Sequence, residues 1–212
     1  MSRGCNGFHV TSSFDRKGIN TMIITLNPKT VIGDCLETAF SIKTYCYLVE
    51  CASKDNFVAT ADYRKAYNGF YRVRSRTPQW YNLYYSLLEE QKDNPLSFVE
   101  LLRELHKYDG NLEVSFASKL IATIDTSKPI WDQYVVANLG LKKEWEQSQK
   151  LALKERIQLA DSIYSKIQLC YQEIIHSPEG QQCIDRFDCE LPKYKNIISD
   201  TKKIDFFLWS KR

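Results

Sequence analysis

Apolar residues recur along this chain at helical spacing, stretch after stretch, and almost never alternate as they would in a half-buried strand. Residues 31–51 place Leu36, Phe40, Tyr47 and Leu48 inward. In residues 57–76, Tyr63, Tyr67, Phe70 and Tyr71 share a helical face. Trp80, Tyr84, Leu87 and Leu88 do the same over 79–91, behind a proline suited to a first turn. Phe98, Leu101, Leu102 and Leu105 mark the inward face of 96–108, which Asn94-Pro95 opens and Asp109-Gly110 stops. Residues 115–124 predict a helix capped by Ser115, with Phe116, Leu120, Ile121 and Ile124 on one side.

The longest pattern covers 142–176. Leu153, Ile157, Ala160, Tyr164, Ile167, Tyr171 and Ile174 form a heptad-like seam, expected to pack within the chain rather than to dimerise. Ser177-Pro178 breaks it; a short helix over 179–187 and a loop over 188–195 follow. Residues 200–212 predict a closing helix that buries Ile204, Phe207, Leu208 and Trp209, with Asp205 facing either solvent or the central helix. The one β-like run, residues 22–26 (MIITL), makes no sheet alone. The expected fold is all-α, with at most a minor N-terminal strand. Residues 1–21 are expected to be a flexible extension, and 22–212 a single helical domain.

Composition narrows the chemistry. Eight glycines and six prolines in 212 residues argue against a loop-rich all-β fold. A net charge of +3 means that any nucleic-acid contact must come from a local patch. The seven cysteines, Cys5, Cys35, Cys46, Cys51, Cys170, Cys183 and Cys189, include no C-x-x-C. Their odd number, without a signal-peptide pattern, favours reduced thiols and a cytoplasmic setting. Cys46 and Cys51 are read as core thiols, with a redox pair as the alternative. His9, His106 and His176 are too scattered for a metal site. No cofactor, metal or iron–sulfur cluster is expected, and no run is long enough to span a membrane.

Residues 114–141 concentrate the candidate chemistry. Asp125-Thr126-Ser127-Lys128-Pro129 is turn-forming, and Asp132 follows the apolar pair Ile130-Trp131. Asp132 can cap a helix over 133–139 that Gly140 closes. As a cap it needs no further role. Between two apolar helices, however, its carboxylate is placed to be partly desolvated, and so to stabilise positive charge or activate water.

Pro129, Asp132, Val135, Leu139, Gly140 and Leu141 together resemble the core of the helix-hairpin-helix DNA glycosylases. In that family a helix after a hairpin ends in a Pro-containing turn and the catalytic Asp starts the next helix. The resemblance implies a helical two-lobed bundle and a DNA N-glycosylase that hydrolyses the bond to a damaged or modified base. It makes Asp132 the carboxylate that stabilises the oxocarbenium-like transition state and orients water. It covers about residues 82–141. The family's glycine-rich hairpin is replaced here by Asn111-Leu112-Glu113-Val114-Ser115, and its Schiff-base lysine position falls near Phe116, with Lys119 a turn further on. That pattern implies a monofunctional enzyme. It is also similar to glycosylase-like proteins of phage hypermodified-base pathways and antiphage defence (the α-glutamyl/putrescinyl-thymine pyrophosphorylase group).

The resemblance makes Trp131, Tyr134, Phe70, Tyr71 and Trp80 candidate linings of a pocket for a flipped base. Core packing is the competing role for these rings. DNA is the implied partner of a monomeric enzyme, with Arg72, Arg74, Arg76, Ser115 and Lys119 as candidate phosphate contacts. The three arginines fit equally a solvated basic face. The rival function is a non-enzymatic helical module that binds nucleic acid or protein; a nuclease ranks lower, since no acid-and-lysine set has usable metal spacing.

Overall fold

The computed structural model describes residues 42–210, which hold ten α-helices and no strand. The expected extension at 1–21, the MIITL run, Leu36, Phe40, Cys5 and Cys35 lie outside the described residues. No described helix is long and apolar enough to cross a membrane. Helix α1 spans Ile42–Ala52, α2 Ala61–Tyr71, α3 Pro78–Glu90, α4 Phe98–Asp109 and α5 Val114–Ile124. Then come α6 (Gln133–Asn138), α7 (Lys142–Glu146), α8 (Leu153–Ile175), α9 (Pro178–Glu190) and α10 (Asp200–Ser210).

Helix α5 runs through the middle, packed on α1 and α4, while α10 lies against α6, α8 and α9. The aromatic stripe of α2 is core: Tyr63, Tyr67, Phe70 and Tyr71 are all buried. Buried hydroxyls need partners. The Tyr67 and Tyr84 hydroxyls lie 3.0 Å apart, Thr123 Oγ1 donates to Tyr67 and Tyr84 donates to the Phe116 carbonyl. This chain of bonds fastens α2 and α3 to α5.

Several expected boundaries move. Ser97, not Asn94, caps α4: its hydroxyl accepts from Glu100 N–H while the Glu100 carboxylate accepts from Ser97 N–H. That reciprocal box satisfies two otherwise orphaned donors, which Asn94 cannot do from three residues upstream. Ser115 is not a cap either; α5 begins at Val114 behind Glu113, whose side chain makes no capping bond. Tyr47 is 39% exposed, because α1 turns Ile42, Tyr45 and Leu48 inward instead. The pattern over 142–176 is two α-helices separated by a 3-10 turn at Gln147–Lys150. From Ile157 to Ile174 the seam is buried and packs within the chain; Leu153, in the first turn of α8, is exposed.

Gly180, in the first turn of α9, sits so close to α8 that a Cβ would collide with the Ile174 carbonyl. Backbone cannot yield as a flexible side chain can. Gly180→Ala is therefore expected to cost on the order of 3 kcal/mol, read as a lowered urea midpoint. Gly69→Ala, at a mid-helix site where a Cβ meets nothing, should instead be neutral or slightly stabilising.

Candidate active site

The site begins with the turn that carries Asp132. Asp125 Oδ1 accepts from the N–H and hydroxyl of Ser127, closing the turn on itself. Three elements then hold it. Tyr164 of α8 donates to the Pro129 carbonyl at 3.0 Å. Ser199 and Thr201, at the start of α10, donate to the carbonyls of Thr126 and Ser127. Ser118 of α5 accepts from Trp131 N–H at 2.9 Å and donates to the Ser115 carbonyl. Asp132 is thus fixed one residue beyond a buried, fully hydrogen-bonded strut.

Asp132 Oδ1 accepts from Tyr134 N–H at 2.8 Å, so the residue does cap α6. At the other end Gly140, with φ +71°, allows Leu141 N–H to reach the Val136 carbonyl and Gly140 N–H that of Ala137. A left-handed residue at that position is what this helix ending requires. The Asn138 side chain then bonds the Leu208 carbonyl and ties α6 to α10.

The carboxylate opens on a cavity of about 210 Å³. Phe70 and Tyr71 come from the end of α2, Lys119 from α5, Ile130 and Asp132 from the turn, Gln133 and Tyr134 from the start of α6, and Lys202, Phe206 and Trp209 from α10. Arg72 adopts a left-handed φ of 55°, rare for a side chain of its size, and its guanidinium stacks over Trp209 at the rim.

Burial governs the titrations. Desolvation raises the proton affinity of Asp132; the Tyr134 N–H, Lys119 and Arg72 work against it, and Asp205 reinforces it. Lys119, 8% exposed, is pushed down to about 8 by the same desolvation, partly offset by Asp132. Lys202 is ion-paired with Asp205 at 2.6 Å, and Tyr171 of α8 donates to the other oxygen of that carboxylate. Asp205 therefore faces inward onto α8, not solvent.

Of the expected site residues, the fold brings Asp132, Tyr134, Phe70, Tyr71, Arg72 and Lys119 to one cavity. Trp80 does not reach it: it is 1% exposed and stacked on Tyr84 in the core. Trp131 is likewise core, packed between Phe98 and Trp145. Arg74 is exposed and Ser115 half-buried, both away from the cavity lining. Arg76 is ion-paired with Asp109 and Glu113 on the two shoulders of the α4–α5 connection and packs over Trp80 and Phe116.

Sequence reasoning missed Ile130, Gln133, Lys202, Phe206 and Trp209 as lining residues and Ser118 as the strut. A Lys202-x-x-Asp205 pair inside an apolar closing helix was the available signal, since buried charges come paired. The free thiols of Cys170 and Cys183 are buried, which pushes them up to about 12 and about 11 and leaves them unreactive. Cys46 and Cys51 are half-buried and unbridged. Among the described residues no three His, Cys, Asp or Glu side chains group as a metal site. Comparison with known protein families, with curated proteins and with solved structures gave no match to this chain.

Proposed function

We propose that this chain is a DNA N-glycosylase-like hydrolase that releases a damaged or modified base, with Asp132 as its catalytic carboxylate. The supporting observation is the position of Asp132, half-buried at an aromatic-walled cavity and held from three sides. Phe70, Tyr71, Tyr134 and Phe206 offer ring and apolar surface to a base taken out of the stack. Departure of the base leaves oxocarbenium character on the sugar. A fixed, partly desolvated carboxylate stabilises that charge without reorganising. The raised proton affinity of Asp132 also suits it to draw a proton from the attacking water.

Phosphate contacts belong elsewhere than the α4–α5 connection. Asp109 and Glu113 flank it, and Arg76 is engaged in neutralising them. Arg72 and Arg74, exposed after α2, are the better-placed cations.

The test is mass spectrometry of free bases released from damaged duplexes and from phage genomes with modified bases. Release is expected to be undiminished in EDTA, because a carboxylate-driven hydrolysis uses no metal. Release that requires a divalent ion would overturn this mechanism. No release from any substrate, together with salt-sensitive DNA binding, would make the chain a binding module.

A further inference from the structure

A second cavity, of about 360 Å³, lies between the α3–α4 connection, the end of α5 and the middle of α8. That volume is within the range of small-molecule sites. Leu96, Phe98, Ile121 and Ile124 give it apolar walls, and the exposed Asp125 and Asp161 stand at its mouth. It shares no lining residue with the Asp132 cavity. At 3.6 residues per turn, Ile121 and Ile124 fall on the other side of α5 from Lys119.

Gln91 follows the last turn of α3 and lines this second cavity. It is 3% exposed, and its amide nitrogen has no hydrogen-bond partner. The other buried polar group of the lining is in use, since the Tyr164 hydroxyl donates to the Pro129 carbonyl. Buried amides are almost always paired, so an orphan beside open space marks a place for a partner from outside the fold. A lone water fits poorly there. It needs two to four polar partners, and Leu96, Phe98, Ile121 and Ile124 offer their side chains no such bonds.

The lining also sets the polarity of an occupant. Its charged side chains, Asp125, Lys128 and Asp161, are all at least partly exposed, so none waits at the depth of Gln91. An ion carried to that depth would lose water and gain no counter-ion. A neutral group loses less. A half-turn about the last bond of Gln91 exchanges its oxygen and nitrogen, and a partner with donor and acceptor side by side pairs with either arrangement. An amide or a lactam has that edge.

We infer that this cavity is a second ligand site, for a small molecule that buries an apolar body and pairs a neutral amide or lactam edge with Gln91. The inference does not rest on the function proposed above. The site backs onto the turn that positions Asp132, because Asp125 and Lys128 belong to both. Its occupant therefore lies against that turn without entering the Asp132 cavity.

The experiment is two-dimensional ¹H–¹⁵N NMR of the whole chain titrated with four probes of similar shape: benzamide, acetophenone, benzoate and ethylbenzene. The side-chain NH₂ signals of Gln91 are identified by their loss in Gln91→Met. Benzamide is expected to move those signals and to bind about tenfold tighter than ethylbenzene, the scale of one or two net hydrogen bonds. Acetophenone, which only accepts, should fall between them, and benzoate should bind more weakly than benzamide. Gln91→Met should bring benzamide level with ethylbenzene. Its urea midpoint without probe should be level or higher, because a thioether leaves no orphaned donor. If no probe moves the Gln91 signals, water alone serves the amide and the site is overturned. Benzoate binding tighter than benzamide, or an order of affinities that Gln91→Met leaves intact, overturns it too. So do shifts centred on the Tyr134 N–H, which belong to the Asp132 cavity. The order of the four probes on wild type stands as a test however the variant folds.

Discussion

Asp132→Asn is expected to cut base release on the order of 10²- to 10³-fold, the scale of removing one preorganised electrostatic contact from a transition state. Its melting temperature should stay level or rise. Asn keeps the side-chain oxygen that accepts from Tyr134 N–H, and it caps a helix about as well as Asp. What it removes is a negative charge that burial disfavours. The sign follows from proton linkage. The folded carboxyl holds its proton above the unfolded value of 3.8, so stability falls as pH rises from about there through the folded value. At neutral pH the charged form is a net cost, and Asn relieves it. Loss of activity with level or higher stability separates a catalytic carboxylate from a structural one. Retained activity would demote Asp132 to a cap.

Asp205→Ala should be the most damaging polar substitution. It removes the carboxylate ion-paired with Lys202, whose side chain is 7% exposed among the rings of Tyr45, Phe70, Tyr71 and Phe206. It also removes the acceptor of the buried Tyr171 hydroxyl. Breaking one side of such a pair costs about 3–5 kcal/mol, readable by urea denaturation. Glu104→Ala, which breaks an exposed pair with Lys107, should cost under about 1 kcal/mol. Replacing both partners, as Lys202→Met with Asp205→Leu, should recover most of the loss, because burying the pair is itself costly. A single Asp205→Ala variant within about 1 kcal/mol of wild type would mean that water already reaches Lys202.

Helical periodicity made most of the fold legible. The α8 seam and the inward faces of α3 and α4 are where the spacing of Tyr164, Leu88 or Leu101 places them. The break before α8 was not legible: Leu151 and Ala152 are extended, with neither Gly nor Pro to announce it. The kink is set by tertiary contacts, Trp145 against Trp131 and Lys166 on Glu144. In the site, Asp132 could be found because its own neighbours form the turn. Trp80 and Trp131 were read as possible pocket walls because a ring in a sequence says only that it will be buried, not against what. The Lys202-x-x-Asp205 pair marks Lys202 as buried, but neither it nor Phe206 could be placed beside Asp132, because 70 or so positions separate them from it. Nothing local encodes that meeting.

The dependence on α10 bears on how the protein matures. A ribosome delivers the chain in order, so α2, α5 and the Asp132 turn emerge well before the helix that carries Lys202, Phe206 and Trp209. Until α10 docks, the rings of Phe70 and Tyr71 and the ammonium of Lys119 lack their fourth wall. The nascent chain therefore has an open, sticky groove where the finished protein has a cavity. Contacts this distant in sequence close late, and chains that wait for them are the ones chaperones attend. Acquisition of the site is coupled to the docking of α10, so a population stalled before that docking would be largely helical by circular dichroism and yet lack the cavity.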